Sequence, residues 1–404
     1  MTNRSKRDLR SGVPLWLRRE APSPAAPLER NETVDVLVVG GGVSGALVAD
    51  AALQAGLSVI AIDRRDFVRG STPASTALLQ FEIDEPLTAL SEAIGEADAA
   101  RAYWRSAAAV GHLAGRIADL GIACSLKERE TVYLPGNVLD ARALAKEATA
   151  RARIGLRSRY AEAAEIKAMT DVDAEGGIVS GGCAELDPVR LTRGLWRSAM
   201  ARGARLFAPV EAIDVEEGRA SVTVATAGGQ DIKARWVVLA TGYELMSFVP
   251  MEGHSVLSTW AMATEPQPER LWPSRALIWE AADPYLYMRT TSDGRIIVGG
   301  EDEPIDDDKK RDALTTTKIA AIGRKLKAKL PDVSVEPAFS WAGFFGESDT
   351  GLPTIGTPPG MKRTFAVMGY GGNGITFSAV AAQLIQRAMI GLKDPDADLF
   401  AFKG

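Results

Sequence analysis

The chain has 404 residues, of which 46% are hydrophobic and 25% charged, as in an ordinary globular protein with room for two domains. A formal net charge of −5 argues against nucleic acid or an anionic membrane surface as a partner. With only two Cys and two His, the sequence predicts neither a disulfide framework nor a metal site.

No segment of the sequence predicts membrane insertion or secretion. The apolar runs stay below the roughly 18 residues that a transmembrane helix needs, and the basic N-terminus lacks the apolar core of a signal peptide. Together with the sparse cysteines, these features predict a cytoplasmic protein.

Residues 1–33 contain several prolines and no periodic pattern. We predict a surface arm here, anchored by Leu15, Trp16 and Leu17. For residues 1–12 a disordered tail is the alternative.

The segment that follows has the features of a dinucleotide-binding unit. An apolar run ends at residue 39, Gly40, Gly42 and Gly45 then match G-x-G-x-x-G, and a helical pattern and a second apolar run lead to Asp63. Such glycines allow a tight turn, close approach of a pyrophosphate and helix–strand packing, and the acid accepts a hydrogen bond from a ribose hydroxyl. The fingerprint alone does not separate NAD from FAD.

The next elements alternate between helices and short strands. Residues 70–77 form a loop of small and hydroxyl-bearing residues, which we expect to lead into a helix and to contact the ligand rather than form a plain capped turn. Asp187 is the predicted N-cap of a helix that starts at Pro188. The other predicted helices lie within 85–120 and 137–154, and the predicted strands at 131–134, 205–207, 210–213, 220–226, 231–235 and 236–242.

The rest of the chain is β-rich and then returns to a strand–helix unit. Short strands are predicted between residues 255 and 300 with a hairpin turn at 292–294, a charged helix at 308–330, and strands at 337–345 and 365–368. A glycine-rich turn at 369–374 precedes an apolar helix at 375–390. The sequence therefore predicts an α/β nucleotide-binding part into which a second part is inserted.

Over residues 34–391 the order of these motifs resembles the D-amino-acid oxidase family of FAD-dependent oxidoreductases. The matching stretches are the glycine fingerprint with Asp63, the loop at 70–77, and the segments 186–188, 239–242, 287–289, 294–295, 299–300, 351–356 and 369–376. The resemblance implies an α/β fold in which a Rossmann-like FAD-binding domain is interrupted by an α+β substrate domain with a mostly antiparallel sheet. The implied FAD-binding domain comprises 34–82, 160–250 and 338–404, and the substrate domain 83–159 and 251–337.

The resemblance also implies FAD as the cofactor. No Cys lies near Trp341, where sarcosine oxidases attach flavin, so we expect non-covalent FAD. A helix N-terminus after the second glycine turn would stabilise reduced flavin, with hydrogen bonds from Asn373 and Thr376. The expected cofactor residues are Gly40, Gly42, Val43, Ser44, Gly45, Asp63, Arg64, Arg65, Ser71, Thr72, Ser75, Thr76, Val210, Ala240, Thr241, Gly242, Gly343, Gly371, Gly372, Asn373, Gly374, Ile375 and Thr376.

The implied reaction is oxidation of a C–N bond of an amino acid or amine by hydride transfer to flavin N5, which gives an imine that hydrolyses. Arg289 stands where glycine oxidases bind the substrate carboxylate, and Tyr287 shares its strand face. Trp341 is expected either to wall the flavin or to fill the core, and His254 either to line the pocket or to be structural. Thr376 replaces the carboxylate-binding Lys of sarcosine oxidases, which argues against a sarcosine-like substrate mode.

Two other functions remain open from the sequence. One is a flavin-dependent 2-hydroxy-acid or glycerol-phosphate dehydrogenase, for which His254 is the candidate base. The other is a flavin-binding subunit of a larger complex. The substrate is expected to be a small molecule and the electron acceptor O₂ or another oxidant. The acidic run at 301–308 is interpreted as a solvated loop, or as a feature that repels acidic substrates or recruits a polyamine.

Overall fold

Two β-sheets organise residues 7–17 and 25–403, the part of the chain that the computed structural model describes. The first six residues of the predicted arm, and its residues 18–24, lie outside this part. The described helices are α1 (Val43–Gln54), α2 (Leu87–Ile94), α3 (Glu96–Asp119), α4 (Ala141–Arg153), α5 (Ala163–Thr170), α6 (Pro188–Ala201), α7 (Asp308–Lys329) and α8 (Gly374–Met389). None of them is long and apolar enough to cross a bilayer.

The described strands are numbered in chain order across both sheets. They are β1 (Arg10–Gly12), β2 (Glu32–Val39), β3 (Val59–Ile62), β4 (Leu78–Leu79), β5 (Lys127–Leu134), β6 (Ser158–Glu162), β7 (Gly176–Glu185), β8 (Arg205–Phe207), β9 (Ala212–Glu217), β10 (Val222–Thr226), β11 (Asp231–Leu239), β12 (His254–Thr264), β13 (Leu277–Glu280), β14 (Leu286–Thr290), β15 (Ile296–Glu303), β16 (Pro337–Ser348), β17 (Thr354–Gly356) and β18 (Thr364–Met368).

The smaller sheet has a parallel centre, as the dinucleotide fingerprint predicts. Its order is β17-β18-β11-β2-β3-β8, with β10 and β9 continuing from β11, and the pairs between β18, β11, β2, β3 and β8 are parallel. Val39 pairs with both Leu239 and Ile62, so three strands end at one edge. Because α1 packs between α6 and α8 beside this sheet, the loops at that edge are left free to form a site.

The larger sheet is antiparallel except where β13 runs parallel to β5, which confirms the predicted mostly antiparallel second sheet. Its order is β1-β16-β12-β15-β14-β13-β5-β7-β4, and β6 adds to β7. The helix α7 covers it with Ile319, Ile322 and Leu326, which join a buried cluster with Trp260 and Met262. This burial explains why a helix of such strongly charged composition is stable.

Strand pairing suggests domain boundaries that differ from those expected from the sequence. Residues 158–185 carry β6 and β7, which pair in the larger sheet, although the sequence assigned residues from 160 onwards to the FAD-binding domain. β16 also pairs in the larger sheet, while the sequence placed it after the boundary at 338. We therefore propose a division that follows the sheets, with 158–185 and 337–348 in the substrate domain.

Two local predictions were wrong, and the strand β7 was not predicted. The loop at 70–77 leads into β4 through a short 3₁₀ turn and not into a helix. Residues 231–242 contain a single strand, β11, rather than two. β7 was missed because its glycines obscure the strand pattern, yet they are required there: a Cβ on Gly177 would lie 2.8 Å from the carbonyl oxygen of Tyr133.

The described part of the N-terminal arm is tied to the larger sheet. β1 pairs with β16 at its edge, with Ser11 opposite Ala342. Leu15 is 2% exposed and packs in a cluster with Trp341, and the indole of Trp16 donates a hydrogen bond to the carbonyl of Ser75. These two residues provide the anchoring that was expected of the segment 15–17.

Candidate active site

A single continuous cavity runs from the carboxyl edge of the smaller sheet to β12, β14 and β16 of the larger one. Two regions of it are named here. The diphosphate end contains Asp63, and the tyrosine end contains Tyr285 and Tyr287. The predicted site residues that line the cavity are Gly40, Gly42, Val43, Ser44, Asp63, Arg64, Arg65, Ser71, Thr72, Ser75, Thr76, Val210, Ala240, Thr241, Gly242, Tyr287, Gly343, Gly371, Gly372, Asn373, Gly374 and Ile375.

The N-terminus of α1 opens onto this cavity. Gly40 has φ of +122°, and a Cβ there would lie 2.2 Å from the carbonyl oxygen of Ala240. Gly45 does not line the cavity; a Cβ there would lie 1.9 Å from the carbonyl oxygen of Gly40, so its role is to bring α1 against β2. Gly42, which precedes the helix, has no side chain to cap it, and the Thr72 hydroxyl accepts the N–H of Val43 at 3.0 Å. The remaining N–H groups of the first turn can bind an anion.

The N-terminus of α8 opens onto the same cavity and also lacks a side-chain cap. By contrast, α4, α6 and α7 are each capped by an aspartate, Asp140, Asp187 and Asp307 respectively, which confirms the predicted cap at Asp187. Hydroxyl groups of Ser44 and Ser378, 2.7 Å apart, join α1 to α8. The two uncapped helix ends are thus held in one fixed arrangement.

The position of α8 is set by two residues that were expected to contact flavin. The Asn373 amide donates to the carbonyl of Glu82, and the Thr376 hydroxyl donates to the carbonyl of Gln80 at 2.9 Å. Asn373 lines the cavity but Thr376 does not. Thr376 therefore positions the helix, and its expected hydrogen bond to the cofactor is not supported.

Asp63 is held rigidly at the diphosphate end. One carboxyl oxygen accepts the N–H of Gly41 at 2.8 Å and the other accepts that of Arg65 at 2.8 Å. Burial raises the pKa of Asp63 above its ordinary value, against the lowering effect of these two amides. The N–H of Val210 donates to the carbonyl of Asp63 at 2.8 Å, so it is not available to a nucleotide.

A residue that sequence reasoning missed, Glu244, neutralises the two arginines beside Asp63. Arg65 contacts both carboxyl oxygens of Glu244, at 2.7 and 2.8 Å, and Arg64 contacts one of them. Arg65 also donates to the carbonyl of Arg7 at 2.6 Å, which ties the arm to this end. The acid lies 179 residues from Arg65 along the chain, so no local pattern could have revealed it.

The loop at 72–77 is oriented by three N–H donors from distant parts of the chain. Three consecutive carbonyls each accept one: that of Ala74 from the Trp341 indole at 2.8 Å, that of Ser75 from the Trp16 indole at 2.7 Å, and that of Thr76 from Arg289 Nε at 2.7 Å. Because these carbonyls are engaged away from the cavity, the loop presents its side chains and remaining N–H groups to it.

Several buried polar atoms of the cavity wall have no partner among the described residues. They are Ser71 Oγ, Gln80 Oε1, Thr241 Oγ1, Thr259 Oγ1, Trp279 Nε1 and the Tyr370 hydroxyl. A buried polar atom without a hydrogen bond is costly, and such atoms usually mark a missing ligand or water. Two open helix ends and this scattered set of donors and acceptors fit one long, polar, anionic molecule such as a dinucleotide.

Comparison with known proteins decides which dinucleotide this is. A family model described as DAO, FAD dependent oxidoreductase, matches residues 35–388. The chain belongs to this family. FAD is therefore its cofactor, as predicted, and the chain is an oxidoreductase.

Individual relatives are distant but cover the chain almost fully. The probable oxidoreductase OrdL of Rhizobium meliloti (strain 1021) is 22% identical over 94% of this chain and 89% of its own length. The glycine oxidase of Bacillus licheniformis is 24% identical over 88% and 93%. The crystal structure of glycine oxidase from Geobacillus kaustophilus superposes with a TM-score of 0.76 at 20% identity, over 92% of this chain and 99% of that one, which shows a shared fold.

Arg289, the expected carboxylate-binding residue, does not line the FAD cavity. It is 2% exposed, and its three nitrogens donate to the carbonyls of Thr76, Thr290 and Leu186. It also lies 3.4 Å from Glu185, and burial lowers its pKa to about 10. The alternation of side chains along β14 predicts Arg289 on the same face as the tyrosines. In the structure the segment 74–77 covers that end of the strand, so the guanidinium donates a hydrogen bond to this segment.

Trp341 and His254 are likewise outside the cavity. Trp341 is 1% exposed and packs in a core cluster, which decides between its two expected roles in favour of the core. Both ring nitrogens of His254 have partners: Nδ1 lies 2.8 Å from the carbonyl of Glu252 and Nε2 3.0 Å from the hydroxyl of Thr354. The geometry therefore gives His254 no role as a base.

The tyrosine end brings together Tyr287, which the sequence predicted, and four residues that it did not assign to the site. The rings of Tyr285 and Tyr287 lie 5.6 Å apart, beside Trp279 and Thr259. Asp84 is exposed to the cavity and accepts the N–H of Gly372 at 2.7 Å. The two-residue spacing of the tyrosines was the available signal for Tyr285; Asp84 follows an apolar segment and carried none.

A second acid, Asp302 on β15, lies behind this end. Neither of its carboxyl oxygens has a hydrogen bond of ordinary geometry within the described chain. Burial raises its pKa to about 6, opposed by the hydroxyls of Thr259 and Tyr285 and by the charge of Lys318. Burial raises the pKa of Asp84 to about 6 as well, and the charge of Asp302 contributes to that shift.

We expect Gly45→Ala to abolish FAD retention. The added methyl would overlap the carbonyl of Gly40, so α1 could not keep its approach to the cofactor. Gly111→Ala, in α3 with open space around its Cβ, is the matched control and should keep FAD while gaining up to about 1 kcal/mol of stability. Flavin absorbance per protein measures both; full flavin content in Gly45→Ala would contradict this role.

Arg289→Leu is expected to destabilise the protein by about 3 kcal/mol and to lower FAD retention, because it leaves Glu185 without this cation and frees the loop carbonyls. Arg142→Leu, on the exposed side of α4, is the control for loss of an arginine. Urea unfolding and flavin content are the measurements. Unchanged stability with weakened binding of a carboxylate substrate alone would restore the role expected from the sequence.

Asp302→Asn is expected to stabilise the protein in a pH-dependent way. Because the pKa is raised from 3.8 to about 6 on folding, ionised Asp302 opposes folding above that range, and its cost fades as the pH falls. The gain should reach at most about 3 kcal/mol near pH 7.5 and fall to about 1 kcal/mol near pH 4.5. Thermal unfolding at both pH values, with exposed Asp332→Asn as control, measures it; an equal gain at both would contradict the assignment.

Proposed function

We propose that this protein oxidises the C–N bond of an amino acid or of another primary or secondary amine, giving an imine that water hydrolyses. The observation that supports it best is a single cavity in which two helix N-termini, suited to FAD, continue into an end lined by aromatic side chains. The glycine oxidases to which the chain is similar are named for an amino acid substrate.

In this proposal, some residues of the chain bind FAD and others enclose the site where the substrate reacts. We propose that α1, Asp63 and the loop at 70–77 hold the non-covalent FAD along the diphosphate end. The N-terminus of α8 lies at the tyrosine end, where its dipole favours negative charge. When bound, the flavin supplies an acceptor for the hydride on the carbon next to the amine nitrogen.

The tyrosine end suits amine oxidation because this reaction needs no strong base. A neutral amine drives hydride loss with its own lone pair, whereas an alcohol needs a group that removes its proton. His254, the base expected for a hydroxy-acid dehydrogenase, has both ring nitrogens engaged away from the cavity. Tyr285 and Tyr287, whose pKa values are raised by burial, remain neutral walls that exclude water.

The remaining expectations from the sequence accompany this proposal. The substrate is a small molecule, the acceptor of the electrons is O₂ or another oxidant, and no nucleic-acid partner is proposed. A cytoplasmic location is proposed from the cysteines, since Cys124 and Cys183 are both buried and unpaired.

The proposal is tested by anaerobic titration of the FAD-loaded protein with amino acids, N-methyl amino acids and simple amines. We expect at least one amine to bleach the flavin in a single turnover and to leave the corresponding carbonyl compound on hydrolysis. Matched 2-hydroxy acids and glycerol phosphate are the controls and should leave the colour unchanged. Bleaching by a hydroxy acid and by no amine would refute the proposal.

A further inference from the structure

Buried carboxylates in this protein are paired with cations almost everywhere. Each acidic side chain that is buried in the described chain forms an ion pair with Arg or Lys; these are Asp50, Glu82, Glu147, Glu185, Glu280, Glu301 and Asp394. Asp84 and Asp302, which lie at the tyrosine end, form no ion pair with any described residue. The oxygens of Asp302 are buried without a hydrogen bond, and Asp84 opens onto the cavity beside it. A buried carboxylate without a cation is unfavourable, so this pair of acids indicates that a ligand in the cavity supplies the cation.

Asp84 is the acid that a ligand can touch. It faces the cavity, and one of its oxygens accepts the N–H of Gly372, which fixes the carboxylate against the turn before α8. A Cβ on Gly371 would lie 2.1 Å from the same carboxylate, so the glycine is needed for this approach. The second oxygen stays open to the cavity and can accept a hydrogen bond from an ammonium group.

Asp302 lies behind the residues that line the cavity and would act on a ligand through its charge. Both of its carboxyl oxygens are buried, and they face the hydroxyls of Thr259 and Tyr285, both of which line the cavity. Lys318 acts on it from the α7 side, but that ammonium group is held by Glu303 at 2.6 Å and Glu301 at 3.6 Å. Negative charge at Asp302 is therefore left to attract a cation in the cavity.

Among the described residues, no Arg or Lys side chain that is free of an acidic partner lines the cavity. Arg64 and Arg65 are the cationic side chains among the described lining residues, and Glu244 at the diphosphate end binds both. Arg289 is turned into the loop carbonyls. A substrate carboxylate placed here would face Asp84 and Asp302 with no partner of its own, which disfavours amino acids as substrates.

Aromatic rings complete a site for a cation. Tyr243, Tyr285, Tyr287 and Trp279 line the tyrosine end, and ring faces attract ammonium groups, most strongly where water is excluded. The same rings pack against a methylene chain. Acids and aromatic rings together match a molecule with an apolar chain and positive ends.

We propose that the substrate is a diamine or polyamine without a carboxylate, whose second, cationic amino group is bound by Asp84 and attracted by Asp302 while the other amine is oxidised. This inference rests on the proposed amine oxidation and names its substrate class. It differs from the carboxylate-directed mode that the sequence suggested for Arg289.

The test compares three compounds that share one reacting end, a primary amine on a four-carbon chain, and differ at the other end. They are α,ω-diaminobutane, butylamine and γ-aminobutyrate. The comparison is repeated with longer chains, because the chain length that fits the cavity should bind most tightly. In anaerobic single turnovers of the FAD-loaded protein, we expect the diamine to have an apparent dissociation constant at least about tenfold lower than butylamine, with γ-aminobutyrate weakest.

Binding is measured separately from reaction. Protein whose flavin has been reduced beforehand with dithionite cannot oxidise the amine. Calorimetry with this reduced protein should give the same order of affinities for the three compounds. Asp84→Asn and Asp302→Asn should each weaken the diamine about tenfold and leave butylamine nearly unchanged, because only the distant charge is lost. Asp332→Asn, an exposed acid after α7, is the matched control and should change neither.

The outcomes separate this inference from the function on which it rests. Preference for γ-aminobutyrate, glycine or N-methylglycine over the diamine would overturn the diamine proposal and leave amine oxidation standing. Bleaching by none of the amines would count against amine oxidation, and the calorimetry would still decide whether the site prefers a dication. Equal affinity of the reduced protein for all three compounds would overturn the cation site.

Discussion

The close approach of α1 to β2 is the constraint on which the site depends. Gly45 lets the helix rest on the carbonyl of Gly40, and the hydroxyl pair of Ser44 and Ser378 then fixes α8 beside α1. Since both helices begin at the cavity and neither N-cap residue caps its helix with a side chain, these contacts set the relation between two positive helix ends. If FAD binds as we propose, it meets two helix ends whose separation the protein has already fixed.

The loop between these helix ends is shaped from outside. Trp16 of the arm, Arg289 of β14 and Trp341 of β16 each donate to one of three successive carbonyls, and the guanidinium of Arg289 lies 5.1 Å from the centre of the Trp16 ring. A buried arginine would be costly alone, but here the carbonyls and Glu185 satisfy it. The arm thereby shapes a loop that lines the cavity, and among the arm's described residues Leu9 lines the cavity itself.

Sequence reasoning succeeded where the chemistry is local and failed where it is not. The first glycine turn, Asp63 and the start of α8 follow from short stretches whose residue types are dictated by backbone geometry, and they line the cavity as expected. The placement of Arg289 depends on carbonyls up to 213 residues away, and that of Glu244 on arginines about as distant. The alternation of side chains along β14 predicts the strand face of Arg289 correctly. It could not reveal that the loop containing Thr76 covers that end of the strand.

Electrostatics separates the structural acids of this protein from the functional ones. Asp50 of α1 pairs with Arg116 of α3, and Glu147 pairs with Arg151 one turn later in α4, so the cost of burying these acids is offset within the fold. Burial raises the pKa of both Asp84 and Asp302, and the charge of Asp302 adds to the shift of Asp84. Neither forms an ion pair with a described residue, so they oppose folding at neutral pH. Replacing either by a neutral residue would relieve this cost at once. Their presence together at an aromatic cavity, beside the open end of α8, is best explained if a bound ammonium group completes the pair.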